Sequence, residues 1–300
     1  MAGAGIERQR SGVSGTGRGR KSRLRERGVR TMSASRYPQC GHTLLELSIS
    51  VALGLLIVLA TISLYRGQRF AYDHATETTR LRDAASTALD LIGQQVQMAG
   101  FAPAGAGQAD ASPPLFGCSP GRPTGSDAAP VCETLASHSD GIVVRYAADT
   151  ISTWPSSSGL PTDCLGQIST GEWIVNRYYA KASSSTVEPE LYCEGSGKPG
   201  TGQPLVEGIE RIKFGYWLRD ASFSVDASAI SRERWPLVVA VDVCVLARGD
   251  SPSATARPRY LDCDGASVVS TDGRIRQVFR RRIALRNIAN APNSPGAASS

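Results

Sequence analysis

One carboxylate lies at the start of a long apolar segment. Glu46 comes five residues after Gly41 and directly before the run from Leu47 to Leu64, which contains no charged residue. Because an ionised carboxylate is costly in hydrocarbon, it needs a cationic or hydrogen-bonding partner, or a route to the polar interface. The position indicates ion pairing at a membrane edge, and a single-pass anchor with an incidental Glu46 is the simpler alternative.

The cysteines could form disulfide bonds. Cys40 precedes Gly41, and an even number of cysteines follows the apolar run: Cys118, Cys132, Cys164, Cys193, Cys244 and Cys263. No CxxC motif occurs, so an oxidising compartment and disulfides are favoured over a zinc ribbon or a thioredoxin-like site. We favour pairing in sequence order, although six cysteines allow 15 connectivities. Six scattered buried thiols are the alternative.

Catalytic and metal-binding patterns are weak. The three histidines are scattered, and the glycine-rich segment 195–202 lacks the order of a phosphate-binding loop and is predicted to be a surface turn. Asp262, Asp264 and Asp272 could supply oxygens to Ca²⁺, but a solvated loop is favoured. We therefore predict no cofactor, no metal and no enzymatic activity.

A basic cluster lies near the C-terminus. Its members are Arg274, Arg276, Arg280, Arg281, Arg282 and Arg286. If residues 277–285 form a strand, the even-numbered arginines share one face. That face could dock an acidic neighbour or contact DNA, and a solvated strand face that discourages aggregation is the favoured alternative.

The net charge of +6 comes from the N-terminal leader. Residues 1–41 contain ten Arg or Lys and two Asp or Glu, which leaves 23 of the 33 basic and 25 of the 27 acidic residues for the remainder. The body therefore gives no global electrostatic argument for nucleic acid as a partner. Met32 offers a second possible start. The positive-inside rule predicts that the leader stays cytoplasmic and that the body is exported.

The elements that position these residues follow from the periodicity. No proline occurs between Pro38 and Pro103, and apolar residues recur at helical spacing from Leu81 to Ala99, so one helix from about Thr43 to Met98 is predicted. Residues 101–139 are predicted to be an extended loop. Strands are predicted at 142–146, 173–179, 211–218, 237–246 (a central strand) and 277–285. Their succession favours an antiparallel sheet and an α+β fold.

The segment Gly41-His42-Thr43-Leu44-Leu45-Glu46 resembles the class III prepilin signal. The resemblance implies that a prepilin peptidase cleaves after Gly41 and methylates the new N-terminus at His42. It also implies that Glu46, then the fifth residue, pairs with the α-amine of a neighbouring subunit and sets the axial register. His42 departs from the family pattern, which usually has Phe or Met there.

Fragments of the body, in order, resemble the PilW family of minor pilins. They are Leu89-Asp90-Leu91-Ile92, Gln97-Met98-Ala99-Gly100-Phe101, Ser139-Asp140-Gly141, Asp163-Cys164-Leu165-Gly166, Asn176-Arg177-Tyr178-Tyr179, Leu191-Tyr192-Cys193, residues 203–209 and Leu285-Arg286-Asn287. The chain has Gln94, Gln95 and Gln97 where the family usually has an acidic and a basic residue.

The resemblance implies a type IV pilin-like protein in four parts. These are a removed leader (1–41), a transmembrane and assembly helix (42–65), a periplasmic half of that helix (66–100) and a β-rich periplasmic head (101–300) with a disordered tail from about residue 290. Its expected role is to initiate or cap a pilus, first in the bacterial inner membrane and then at the pilus base or tip. Its expected partners are the prepilin peptidase, other minor pilins and the major pilin. A minor pseudopilin of type II secretion and a tip adhesin or DNA-binding pilin are the alternatives.

Overall fold

The computed structural model describes residues 41, 43–103, 112–127, 129–150, 153–252 and 257–287. The predicted cleavage and methylation residue His42, the leader with Met32 and Cys40, and the predicted tail from about residue 290 lie outside the described residues. The described part of the chain divides into two units, one up to Ala60 and one from Thr61 onward.

The described residues form one α-helix and twelve strands. The helix is α1 (Leu44–Met98), and the strands are β1 (Leu115–Cys118), β2 (Arg122–Ser126), β3 (Ala129–Glu133), β4 (Gly141–Ala147), β5 (Trp173–Ala182), β6 (Pro189–Gly195), β7 (Gln203–Glu207), β8 (Ile209–Leu218), β9 (Val238–Arg248), β10 (Arg259–Leu261), β11 (Ser267–Val269) and β12 (Arg276–Ala284). Two 3₁₀ helices, Ala227–Ala229 and Arg232–Leu237, precede β9. The predicted α+β fold class, with a long helix on antiparallel sheet, is confirmed.

The strands form two main antiparallel sheets. The larger has the order β1-β4-β5-β6-β7 and the smaller the order β12-β9-β8. The hairpins β2–β3 and β10–β11 are separate. The central position predicted for the Val-rich strand is confirmed, because β9 lies between β12 and β8. The prediction of an extended loop over 101–139 is wrong where β1, β2 and β3 form.

A single residue connects the two main sheets. Gly208 separates β7 from β8 and has φ +77°, a conformation that costs little only for glycine. Its N–H donates to the carbonyl of Pro189 at 2.8 Å, and its carbonyl accepts from the N–H of Arg248 at 2.8 Å. Gly208 is therefore hydrogen-bonded to strands of both sheets.

The free edge of β8 is closed by residues that lead into β4. Ser139 accepts a hydrogen bond from the N–H of Ile212, and the Asp140 carboxylate accepts one from the N–H of Phe214, both at 2.9 Å. Further along, Tyr216 exchanges backbone hydrogen bonds with Val225. Edge strands with unpaired N–H groups invite pairing with other chains, and these contacts prevent it here.

One core lies between the sheets and the helix. Buried side chains from both sheets and from one face of α1 belong to a single cluster, and the helix supplies Leu81, Ala85, Ala88, Leu89, Ile92 and Val96. These positions repeat at i, i+4, i+7 and i+11, which is the apolar stripe of an amphipathic helix. The stripe that the sequence predicts from Leu81 onward is therefore buried.

The carboxylate of Asp140 gives the fold a pH dependence. Asp140 is 5% exposed, and burial raises its pKa from 3.8 to about 6, against the hydrogen bond from Phe214. Because the folded-state pKa lies above the unfolded one, the stabilisation is complete below pH about 4 and is lost as the pH rises through 6. We expect the free energy of unfolding of the full chain in detergent to fall by on the order of 2–3 kcal/mol across this window.

The variant Asp140→Asn keeps an oxygen for the Phe214 N–H but cannot ionise. Urea unfolding at several pH values should show a flattened slope between pH 4 and 7 in this variant. Asp250→Asn, which changes an exposed carboxylate, is the control and should keep the wild-type slope. An unchanged slope in Asp140→Asn would show that another group titrates.

Candidate functional site

The first turn of α1 is closed by Thr43 and Glu46. The N–H of Glu46 donates to Thr43 Oγ1 at 3.2 Å, and the N–H of Thr43 donates to Glu46 Oε2 at 3.4 Å. This reciprocal arrangement is a capping box, in which two N–H groups without helical acceptors are satisfied. Both residues are exposed. Glu46 therefore has a local structural role in addition to the charge that the sequence analysis singles out.

The apolar residues that follow are exposed on every side of the helix. Large side chains between Leu44 and Leu64 are 45–87% exposed. An 18-residue window has a mean hydropathy of 2.5, so α1 is long and apolar enough to cross a membrane. The hydroxyls of Ser48 and Ser50 donate to the carbonyls of Leu45 and Glu46, which leaves these polar groups satisfied within the helix. Such a surface requires lipid or other apolar helices around it.

The last turns of α1 are fixed to both sheets. Asp90 forms an ion pair with Arg281 of β12, and Gly93 packs beside Ile283, whose Cδ1 would lie 3.5 Å from an added Cβ. Gln95 accepts a 2.8 Å hydrogen bond from the amide of Asn176, which is fully buried in β5. A glutamine suits this position because it offers an uncharged acceptor to a buried amide.

Asn287 caps the C-terminal end of α1. Its amide nitrogen donates to the carbonyls of Gln97, Met98 and Ala99 at 3.1, 3.4 and 3.3 Å. These carbonyls lie at the helix end, where there are no further helical N–H groups to bond them. The family-like fragments at the helix end and at Leu285-Arg286-Asn287 thus meet in space.

A second pair of family-like fragments meets around Asp163. Its carboxylate accepts from the N–H groups of Leu165, Gln167 and Gly197 at 2.9–3.0 Å. Asn176 accepts from the N–H of Cys164 at 3.1 Å. These fragments hold the loop before β5 against the β6 end, so their common role is structural.

The glycine-rich segment 195–202 is not arranged to hold phosphate. Its N–H groups at Gly197 and Gly200 already donate to carboxylates of this chain, Asp163 and Glu194. Among the described residues, no group of three or more His, Cys, Asp or Glu side chains could hold a metal ion. Asp264 pairs with Lys213 and Asp272 with Arg276, so the aspartates considered for Ca²⁺ do not converge.

Most of the basic cluster is neutralised. Arg274 pairs with Glu188, Arg281 with Asp90 and Arg282 with Asp242, while Arg276 bridges two carboxylates. Hydrogen bonds from Arg276 and Arg282 hold the pKa values of Asp272 and Asp242 below their usual range. Arg280 donates to the carbonyl of Cys263 at 3.0 Å. A nucleic acid would have to displace these carboxylates, so the cluster gives little support to a DNA contact.

Three disulfides join neighbouring elements of the head. They are Cys118–Cys132, Cys164–Cys193 and Cys244–Cys263, which are the pairs favoured from the sequence. The first ties β1 to β3, the second ties a loop to β6, and the third ties β9 to the turn after β10. The presence of disulfides is typical of a protein from an oxidising compartment.

The described chain thus combines an α+β head of antiparallel sheets, crosslinked by disulfides, with a helix long and apolar enough to cross a membrane. Residues 177–287 match the PilW family model, described as Type IV Pilus-assembly protein W. The match covers much of the second half of the chain and supports a PilW-type minor pilin, in agreement with the resemblance seen in the sequence.

Among solved structures, a type IV-like pilin from Thermus thermophilus is 15% identical with a TM-score of 0.39, and the match covers 70% of this chain and 97% of that one. No curated protein matches the chain.

Substitutions of Asn287 test how much its contact with the helix carbonyls stabilises the fold. Asn287→Asp keeps the shape but places a negative charge against three carbonyls at the negative end of the helix dipole. We expect a loss of about 2–3 kcal/mol in the free energy of unfolding, and about 1–2 kcal/mol for Asn287→Ala, which removes only the donor.

The measurement is urea unfolding of the full chain in detergent, and the control is Arg286→Ala at the neighbouring exposed position. If Asn287→Asp is as stable as the control, the contact with the helix carbonyls contributes nothing.

Proposed function

We propose that this protein is a minor pilin that helps to initiate or cap assembly of a type IV pilus. The observation that supports this most directly is the division of α1. Its first part is apolar and exposed on all sides, and its last part is buried in a disulfide-containing head. A helix of this kind can rest in a bilayer and later pack among the helices of other subunits.

Membrane topology follows from charge and redox chemistry. The basic leader stays in the cytoplasm, α1 crosses the bacterial inner membrane once, and the head lies in the periplasm. The disulfides agree with this assignment because the periplasm is oxidising. In the assembled state the head belongs at the base or tip of the filament.

Processing takes place at Gly41. A prepilin peptidase cleaves the Gly41–His42 bond and methylates the amine of His42. Thr43 and Glu46 then lie in the first turn of the mature helix, where the α-amine of a neighbouring subunit pairs with the Glu46 carboxylate. The partners are the peptidase, the major pilin and other minor pilins.

Mass spectrometry of the mature N-terminus tests the processing step. In a host with a prepilin peptidase, the wild type should begin at a methylated His42. Gly41→Leu should keep its leader, because the peptidase requires the small residue before the scissile bond. An unmodified start at another residue, or normal cleavage of Gly41→Leu, would show that the site is misplaced.

The capping box allows the two roles of Glu46 to be separated. Glu46→Gln keeps a side-chain oxygen for the Thr43 N–H but has no charge, and Thr43→Ala removes the cap but leaves the charge. If pairing with an α-amine sets the register, both Glu46→Gln and Glu46→Ala should abolish incorporation into pili. Cleavage should continue in all three variants, and Thr43→Ala should assemble.

Incorporation is measured by immunoblot of sheared pili, with the N-terminus checked in the same sample. Assembly of Glu46→Gln at wild-type levels would contradict the charge-pairing role and leave only the cap.

A further inference from the structure

A band of aromatic and basic residues follows the apolar run on α1. Tyr65, Arg66, Arg69, Phe70 and Tyr72 are all exposed. Tyr65, Phe70 and Tyr72 are 60–74% exposed, so three large aromatic residues lie together on the surface of α1 before its buried stripe. These five residues are called the interfacial band below.

The two arginines of the band differ from those of the head. Neither Arg66 nor Arg69 makes an ion pair with another residue in the described part of the chain. In the head, by contrast, Arg276, Arg281 and Arg282 all pair with carboxylates. An exposed guanidinium without a partner presents five N–H donors in a planar fork that suits a phosphate group.

Helical geometry places part of the band on one face. Tyr65, Arg69 and Tyr72 are separated by four and three residues, so they lie one above the other along α1. Arg69 is therefore flanked by two tyrosines, whose rings carry an apolar body and a polar hydroxyl. Arg66 and Phe70 occupy the adjacent face with the same spacing of four.

The band lies at the depth of the lipid headgroups if the apolar run spans the bilayer. At 1.5 Å per residue, Arg66 is about 3 Å and Arg69 about 8 Å beyond Leu64 along the helix. The polar region of each leaflet is about 5–8 Å thick, so both guanidinium groups come within reach of lipid phosphates. Tyrosine is enriched at this level because its ring and hydroxyl suit the two environments.

We propose that the interfacial band binds the phosphate of anionic lipid headgroups in the outer leaflet of the membrane, with Arg66 and Arg69 as the phosphate ligands. This inference rests on the proposed membrane span. Two arginines next to the exported end of the span run against the positive-inside bias, which favours a specific use for their charge. Phosphate binding supplies it and holds the subunit at a fixed depth before assembly.

The test uses the full chain in micelles of a neutral glycoside detergent. Short-chain phosphatidylglycerol is titrated in, and native mass spectrometry gives its apparent Kd. Each of Arg66→Gln and Arg69→Gln should weaken binding about fivefold, and the double variant about 25-fold, as expected for one basic residue each near an anionic surface. Arg80→Gln is the control, since Arg80 is an exposed arginine on the same helix about 24 Å beyond Leu64.

Two further arms identify the ligand. A galactosyl diacylglycerol with the same acyl chains lacks phosphate and should bind no better to the wild type than to the double variant. Inorganic phosphate at equal concentration should not displace the lipid. Displacement of the lipid by inorganic phosphate would indicate a site for the free anion. Binding of the galactolipid to the wild type as tightly as phosphatidylglycerol would indicate only apolar contact. Either result overturns the proposal.

Vesicle flotation separates this proposal from the proposed function. The wild type and all variants should float with liposomes, because the apolar run anchors each of them. Failure of the wild type to float would refute the membrane span itself. Flotation of every protein combined with unchanged phosphatidylglycerol affinity in the double variant would refute the phosphate ligands alone.

Discussion

The structure of the head depends on the burial of one stripe of α1. The two main sheets share a single core, and the stripe from Leu81 to Val96 forms one of its walls. The small residues Ala85, Ala88 and Gly93 lie on the buried face of α1, and Gly93 faces Ile283 of β12. The neighbouring contacts depend on this packing, because the amide of Asn176 and the cap at Asn287 reach the helix only when it is seated. Without the helix, apolar faces of both sheets would be exposed to water.

Elements with a strong local signal could be predicted from the sequence. The helix, the Val-rich β9 and four other strands follow from periodicity, since each carries its pattern within ten residues or so. The strands β1, β2 and β3 have no clear local signal because their segment is rich in Gly and Pro. The segment is stabilised by the Cys118–Cys132 bridge within it and by the ion pair of its Asp127 with Arg177 of β5. Asn287 could not be identified as a helix cap from local sequence, because its acceptors lie 188–190 residues earlier in the chain.

The candidate site likewise combines features that local sequence shows with features that depend on distant parts of the chain. The position of Glu46 beside an apolar run is visible in the sequence, and so is the Thr43-x-x-Glu46 spacing, which is typical of a capping box. The arginines near the C-terminus look like a basic surface in the sequence, whereas the structure supplies carboxylates from distant elements, such as Glu188 and Glu210 for Arg274 and Arg276. A cluster of arginines in the sequence therefore does not by itself predict a basic surface, because carboxylates from distant elements can fold against it.

The disulfides have a consequence for a head that is pulled by its helix. Each bridge closes a short stretch of chain, with separations of 14, 29 and 19 residues. These loops together hold about 60 residues, or roughly 200 Å of chain that cannot extend under tension while the bridges remain intact. A filament subunit with this head would therefore lengthen by roughly 200 Å less than an uncrosslinked chain of the same length if a mechanical load unfolded it.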